Sequence, residues 1–158
     1  MNTNKKQIIV LQGQDGTGKT ETLKNLIQKL LLVSNKVADE GKFTSRMRNK
    51  HWDVWAIFEY EARHIAITTR GDLVGFIDDN FTKMEQIATQ KGFEIDVYIC
   101  ATHTVGKTVK YVENKAMSLG ISPHIYGKAT YNCDRSPNEQ NIQSQINDWQ
   151  ADMIFANL

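Results

Sequence analysis

Apolar residues fall along this chain in two rhythms. Gln7–Leu11 is an unbroken β-branched and leucine run, which predicts a strand buried on both faces, as in parallel sheets. Leu23, Leu26, Ile27, Leu30 and Leu31 then recur at helical spacing and predict a helix with one apolar stripe. Residues 34–50 are polar and contain Gly41, so they read as a loop. Asp53–Glu59 and His64–Thr69 read as two strands. Only Tyr60–Arg63 separates them, too little chain for a helical crossover, so they are expected to pair as an antiparallel hairpin. Leu73, Ile77, Phe81, Met84 and Ala88 predict a helix ending before Gly92, and Asp96–Ala101 predicts another buried strand. Val105–Leu119 reads as a helix stopped by Gly120, and Pro123–Tyr126 as a short last strand. Ser136-Pro137 opens a final helix whose apolar positions are Ile142, Ile146, Trp149 and Met153.

The resulting order, β-α-β-β-α-β-α-β-α, predicts a single α/β domain over 1–158, three layers deep, with a mostly parallel sheet and one antiparallel edge hairpin. Composition narrows the function classes. Nineteen Lys and Arg against eighteen Asp and Glu give a net charge of +1, which argues against a globally basic nucleic-acid binder. No apolar run is long enough to span a membrane, and Ile8–Leu11 is too short for a secretory leader. Cys100 and Cys133 stand far apart and form neither a redox pair nor a zinc half-site, as expected of reduced thiols in a cytoplasmic protein.

The chemistry is concentrated between the first strand and the first helix. Gly13-Gln14-Asp15-Gly16-Thr17-Gly18-Lys19-Thr20 matches G-x-x-x-x-G-K-[ST]. Glycines allow positive φ and bring backbone N–H groups close to phosphate oxygens. The helix that follows adds unpaired N–H groups and the positive end of its dipole. Lys19 supplies a charge for β- and γ-phosphates, and the Thr20 hydroxyl is suited to ligate Mg²⁺. Glu21 closes the expected nucleotide-contacting stretch.

On these residues the chain resembles the P-loop NTPase superfamily. The resemblance is specific over residues 7–32 and looser, by element order, to about residue 126. It implies a P-loop fold with nucleotide at the carboxyl ends of the parallel strands. By analogy with GTPase-like sheets, the strand order expected is hairpin edge, second hairpin strand, glycine-loop strand, then Asp96–Ala101. Such GTPases carry D-x-x-G after the second hairpin strand. Here Thr68-Thr69-Arg70-Gly71 places threonine where the aspartate belongs. Asp72 is the expected substitute metal ligand, with Glu59 and Thr69 next in line, and its competing role is to cap the helix at Leu73. Arg70 is a candidate for neutralising γ-phosphate charge, or for pairing with a nearby acid. His103 reads as a base, a nucleobase contact or a helix cap.

Ala101-Thr102-His103-Thr104-Val105-Gly106-Lys107-Thr108 fits the glycine-loop pattern if alanine replaces its first glycine. It lacks a counterpart of Gly16 and carries Val105 where the loop must be open, so it reads as a strand end and helix start on the same sheet edge. Residues 42–50 hold four basic side chains and no acid, and His51 and Trp52 follow. That stretch is a candidate site for an anionic acceptor or a protein partner, or a solvated loop. Three functions remain: a slow Mg-dependent NTPase or nucleotide-controlled switch, a kinase using loop 42–50, and a binding-only protein. The sequence leaves oligomeric state open. It lacks N-K-x-D after the Asp96–Ala101 strand, so ATP is the expected nucleotide and GTP stays open. ATP should therefore bind as tightly as GTP or better. Competitive titration checks this, and a preference for GTP above about a hundredfold, roughly 2.7 kcal/mol, would bring back a GTPase.

Overall fold

A computed structural model describes residues 5–40, 53–130 and 137–158. In chain order the elements are β1 (Gln7–Gln12), α1 (Lys19–Val33), β2 (Asn35–Asp39), β3 (Trp55–Tyr60), β4 (Arg63–Thr68), α2 (Val74–Lys91), β5 (Val97–Thr102), α3 (Lys107–Ser118), β6 (His124–Gly127) and α4 (Pro137–Phe155). The six strands form one mixed sheet in the order β2-β3-β4-β5-β1-β6. β1 runs parallel to β5 and β6, and β5 parallel to β4. β3 is antiparallel to both β2 and β4.

Side-chain alternation along β1 divides the interior into two clusters. Ile9 and Leu11 pack with Leu23, Leu26, Ile27 and Leu30 of α1 and with Ala151 and Ile154 of α4. Ile8 and Val10 pack on the other side with Ile77, Phe81, Met84 and Ala88 of α2 and with Val112 and Ala116 of α3. Helices thus cover both faces, which is why β1 and β5 are apolar without alternation. The crossovers β4-α2-β5 and β5-α3-β6 move one way along the sheet on one face. The connection through α1 moves the other way on the opposite face, as a single handedness of crossover requires.

Four sequence expectations are corrected. The segment read as a loop at 34–50 contains β2, an edge strand with two exposed and three half-buried residues, so no apolar run marks it. The antiparallel edge is therefore three strands, not a lone hairpin. The strand order expected placed β4 beside β1, whereas β5 lies between them. Local pattern does not encode that order: the α2 crossover delivers β5 next to β4, and the α3 crossover passes over β1 to β6. On α4, the buried positions are Asn147, Gln150, Ala151 and Ile154. Trp149 is 56% exposed and Met153 40%, so the apolar periodicity marked the wrong face.

The turn after β4 is pressed against β5. A Cβ at Gly71 would lie 2.5 Å from the Ala101 carbonyl oxygen, which is backbone and cannot rotate away. A Cβ at Gly75, in the first turn of α2, would meet nothing within 4 Å. Gly71→Ala should therefore cost about 1–3 kcal/mol. Gly75→Ala should be neutral or stabilise by up to about 1 kcal/mol. Chemical denaturation of both variants checks the pair, and equal stabilities would contradict the close approach.

Candidate functional site

β1 and β5 are adjacent and parallel and end level, Gln12 opposite Thr102. The chain leaves β1 toward α1 on one face and β5 toward α3 on the other. A crevice at such a divergence is where ligands settle in open α/β sheets. Here its walls are the glycine loop after β1 and the segments after β4 and β5.

The loop is shaped by its glycines. Gly16 and Gly18 have φ of 71° and 86°, left-handed values that glycine takes without strain. At Gly18 a Cβ would also lie 2.9 Å from Asn147 Oδ1, so the Asn147 amide would have to shift. α1 begins at Lys19 without a side-chain cap. Its first N–H groups are therefore not taken by a capping side chain. The Lys19 ammonium donates to the Gly13 and Gln14 carbonyl oxygens at 2.9 and 2.8 Å, and Thr17 Oγ1 donates to Gln14 O at 2.7 Å. Burial lowers the pKa of Lys19, and the carboxylates of Asp15 and Asp72 oppose that shift. A cavity of about 540 Å³ lies over the loop, lined by Asp15 through Glu21 with Asp53 and Asp72.

Asp53 is the residue that sequence reasoning missed. Thr20 Oγ1 donates to its Oδ1 at 3.4 Å and Thr69 Oγ1 at 3.2 Å, while Arg70 Nε lies 3.6 Å from Oδ2. Thr69 Oγ1 in turn accepts the Val54 N–H at 2.9 Å, fixing the segment just before β3. The signal was topological. An antiparallel strand starts at the edge where its parallel neighbours end, so a residue just before β3 reaches a site 33 positions earlier in the chain. Glu59 lies toward the other end of β3, paired with His64, and is removed as a ligand candidate. Arg70 combines its two expected settings: it pairs with Asp53 at the crevice, and its guanidinium lies 4.0 Å over the Phe76 ring.

Asp72 lines the cavity, yet it does not cap α2. The N-cap is Leu73, with no side-chain hydrogen bond. His103 is likewise not a helix cap, since α3 starts from Gly106 without one. Its ring instead bridges the crevice. Nδ1 lies 3.3 Å from Asp15 Oδ1 and Nε2 3.3 Å from the Asp72 carbonyl oxygen. Ligand atoms of Asp15, Asp72 and His103 all fall within 4.8 Å of one another, a set able to hold a divalent cation. Thr20 with Asp53 is the all-oxygen pair, which suits Mg²⁺; the set containing imidazole suits transition ions better. Lys107 lies away from the loop, in a second cavity beside Asp72.

The back of the loop is held by α4. Gln150 donates to Gly127 O at 2.6 Å and accepts from Ala129 N at 3.1 Å. Gln143 donates to Asn147 Oδ1 at 2.9 Å. These polar residues pin the segment after β6 against Gly13, where a Cβ would lie 2.7 Å from Lys128 Cβ. Burial lowers the pKa of Lys128 to about 8. The basic stretch 42–50, with His51 and Trp52, and Cys133 lie outside the described residues. Cys100 is a buried free thiol.

Comparison with models of known families, with curated proteins and with solved structures finds no match to this chain. The geometry therefore stands on its own. It orders the carboxylates: Asp53 touches the Thr20 hydroxyl, and Asp72 stands across the cavity. If the cavity takes Mg-ATP with the metal at Thr20, Asp53→Asn should weaken that binding by about tenfold or more, roughly 1.4 kcal/mol, while Asp72→Asn leaves it within a few-fold. Calorimetric titration with and without Mg²⁺ checks the order, and a loss confined to Asp72→Asn would return the metal to that residue.

Proposed function

We propose that this chain binds a magnesium–nucleoside triphosphate, ATP first, on the loop Gly13–Thr20, within a P-loop NTPase fold, and breaks the terminal phosphate bond slowly. The observation that carries this reading is the position of Lys19. Its ammonium is held by two carbonyl oxygens of the glycine loop, under a cavity that also receives Thr20 and Asp53. A phosphate chain there would meet the loop N–H groups, the α1 N-terminus and this ammonium. Thr20 and Asp53 would hold Mg²⁺, which would supply positive charge against that developing on cleavage. Arg70 would reach the γ-phosphate by leaving its exposed pairing with Asp53.

A carboxylate beside Thr20 weakens the case for a binding-only protein. Among the described residues no helix is long and apolar enough to cross a membrane. A nucleotide-controlled switch would act through the segment after β4 and the neighbourhood of residues 34–50.

Lys19→Ala should abolish ATP binding, whereas Lys107→Ala should leave it within a few-fold. Thermal melts give the same answer independently. Ligand at a hundred times its dissociation constant raises apparent stability by about 2.7 kcal/mol, an increment that Lys19→Ala should lose. Loss in Lys107→Ala with retention in Lys19→Ala would move the nucleotide to the loop at 101–108.

A further inference from the structure

Beside the glycine-loop cavity lies a second one of about 470 Å³, between the first turns of α2 and α3. Leu73, Val74 and Phe76 give it apolar walls, and Asp72, Asp79, His103 and Lys107 bring polar groups into it. Its size falls in the range of small-molecule sites, and so does this mixture of walls and polar groups. Asp72 lines both cavities, so the two adjoin at that residue.

We propose that this second cavity holds a neutral nucleoside-like molecule, whose hydroxyl accepts the terminal phosphoryl group of the nucleotide on the glycine loop. The inference rests on the nucleotide reading above and names its acceptor. Charge selects a neutral ligand. Asp72 and Asp79 face the cavity against Lys107, so a phosphorylated acceptor would bring its own negative charge toward two carboxylates. Hydroxyl groups would donate to those carboxylates, and Lys107 would donate to a ring nitrogen or carbonyl. Phe76 lines the cavity at 38% exposure with the Arg70 guanidinium 4.0 Å over its ring, so a flat base would stack on that guanidinium or take its place.

The chemistry balances with groups already named. The acceptor oxygen attacks the γ-phosphorus and forms the new P–O bond. The bond from that phosphorus to the β,γ-bridging oxygen breaks, and the nucleoside diphosphate leaves with the metal. The hydroxyl proton passes to the carboxylate of Asp72, which caps no helix and lines both cavities.

The test uses Mg²⁺ and γ-labelled ATP with each of the four common ribonucleosides and four 2′-deoxyribonucleosides, read by separation of labelled monophosphate. At least one should be phosphorylated by the native chain. Asp72→Asn should lower that rate by about a hundredfold, the contribution of a proton acceptor, and keep ATP binding. Gly75→Phe should fill the second cavity, since a Cβ there meets nothing within 4 Å. It should lower transfer by roughly tenfold or more while its melting temperature and ATP affinity stay native. Absence of transfer to all eight nucleosides, in a protein that binds Mg-ATP by calorimetry, overturns the acceptor assignment alone. Transfer undiminished in Gly75→Phe overturns its placement. Failure of the native protein to bind Mg-ATP overturns the nucleotide reading and this inference with it.

Discussion

The pairing of β1 with β5 is the constraint on which the rest of the molecule depends. Six residues of each strand run in register, from Gln7 with Val97 to Gln12 with Thr102. The Gly13 N–H then donates to Thr102 O at 3.1 Å, so the pairing continues one residue past β1. Both strands are buried on both faces, which fixes them at the middle of the sheet. Each must then send its chain over the sheet edge, and the two depart to opposite faces. The crevice is a consequence of that divergence. The glycine loop forms one wall, and Asp72 and His103 another, because those are the segments that follow β1, β4 and β5.

The same constraint explains why the site is built from distant pieces. Gly71 must be glycine because the turn after β4 passes over the Ala101 carbonyl at the end of β5. That passage brings Thr69 and Arg70 toward Asp53 and carries Asp72 to the crevice. On the other flank, β6 pairs with β1, and Lys128 N donates to Gln12 O at 2.7 Å. The segment after β6 is thereby laid along the loop, and its carbonyl and N–H groups need partners. Gln150 supplies them from α4, because buried backbone groups left unpaired are costly. Hydrogen-bonding demand, rather than hydrophobic packing, thus sets part of the buried face of α4.

That trade also marks what could be read from the sequence. The two-sided strands and the leucine stripe of α1 were legible, since burial leaves a composition signature there. The glycine loop was legible because its glycines and Lys19 are contiguous. The face of α4 was not, since Asn147 and Gln150 occupy inward positions while Trp149 faces out. β2 was hidden for a related reason: an edge strand with exposed residues carries no apolar run. Asp53 was hidden by distance. Its contacts with Thr20 and Thr69 exist only once β3 is known to lie antiparallel beside β4. Strand order is the common factor, and it is decided by crossover handedness and loop length rather than by any residue's own preference.

The charges around the glycine-loop cavity carry the last step. Among the described residues, Asp15, Glu21, Asp53 and Asp72 line it against the ammonium of Lys19, with Arg70 paired to Asp53 beside it. Two like charges about 6 Å apart, at an effective dielectric constant near 20, repel by roughly 3 kcal/mol. A bare polyphosphate would bring several negative charges into that field. Lys19 and the α1 N-terminus offset part of the repulsion, and burial already works against the lysine's own charge. A divalent cation held by the Asp53 carboxylate would change the sign of the nearest interaction a phosphate meets. On the proposed nucleotide reading, the metal would be a condition of phosphate binding at all, beyond any part it would play in cleavage. The carboxylates also acquire distinct tasks from their positions. Asp53 adjoins the Thr20 hydroxyl and can share a cation with it. Asp15 meets His103 across the crevice and ties the loop to the β5 side. Asp72, which lines both cavities, would on the proposed transfer be the carboxylate that faces the reacting hydroxyl.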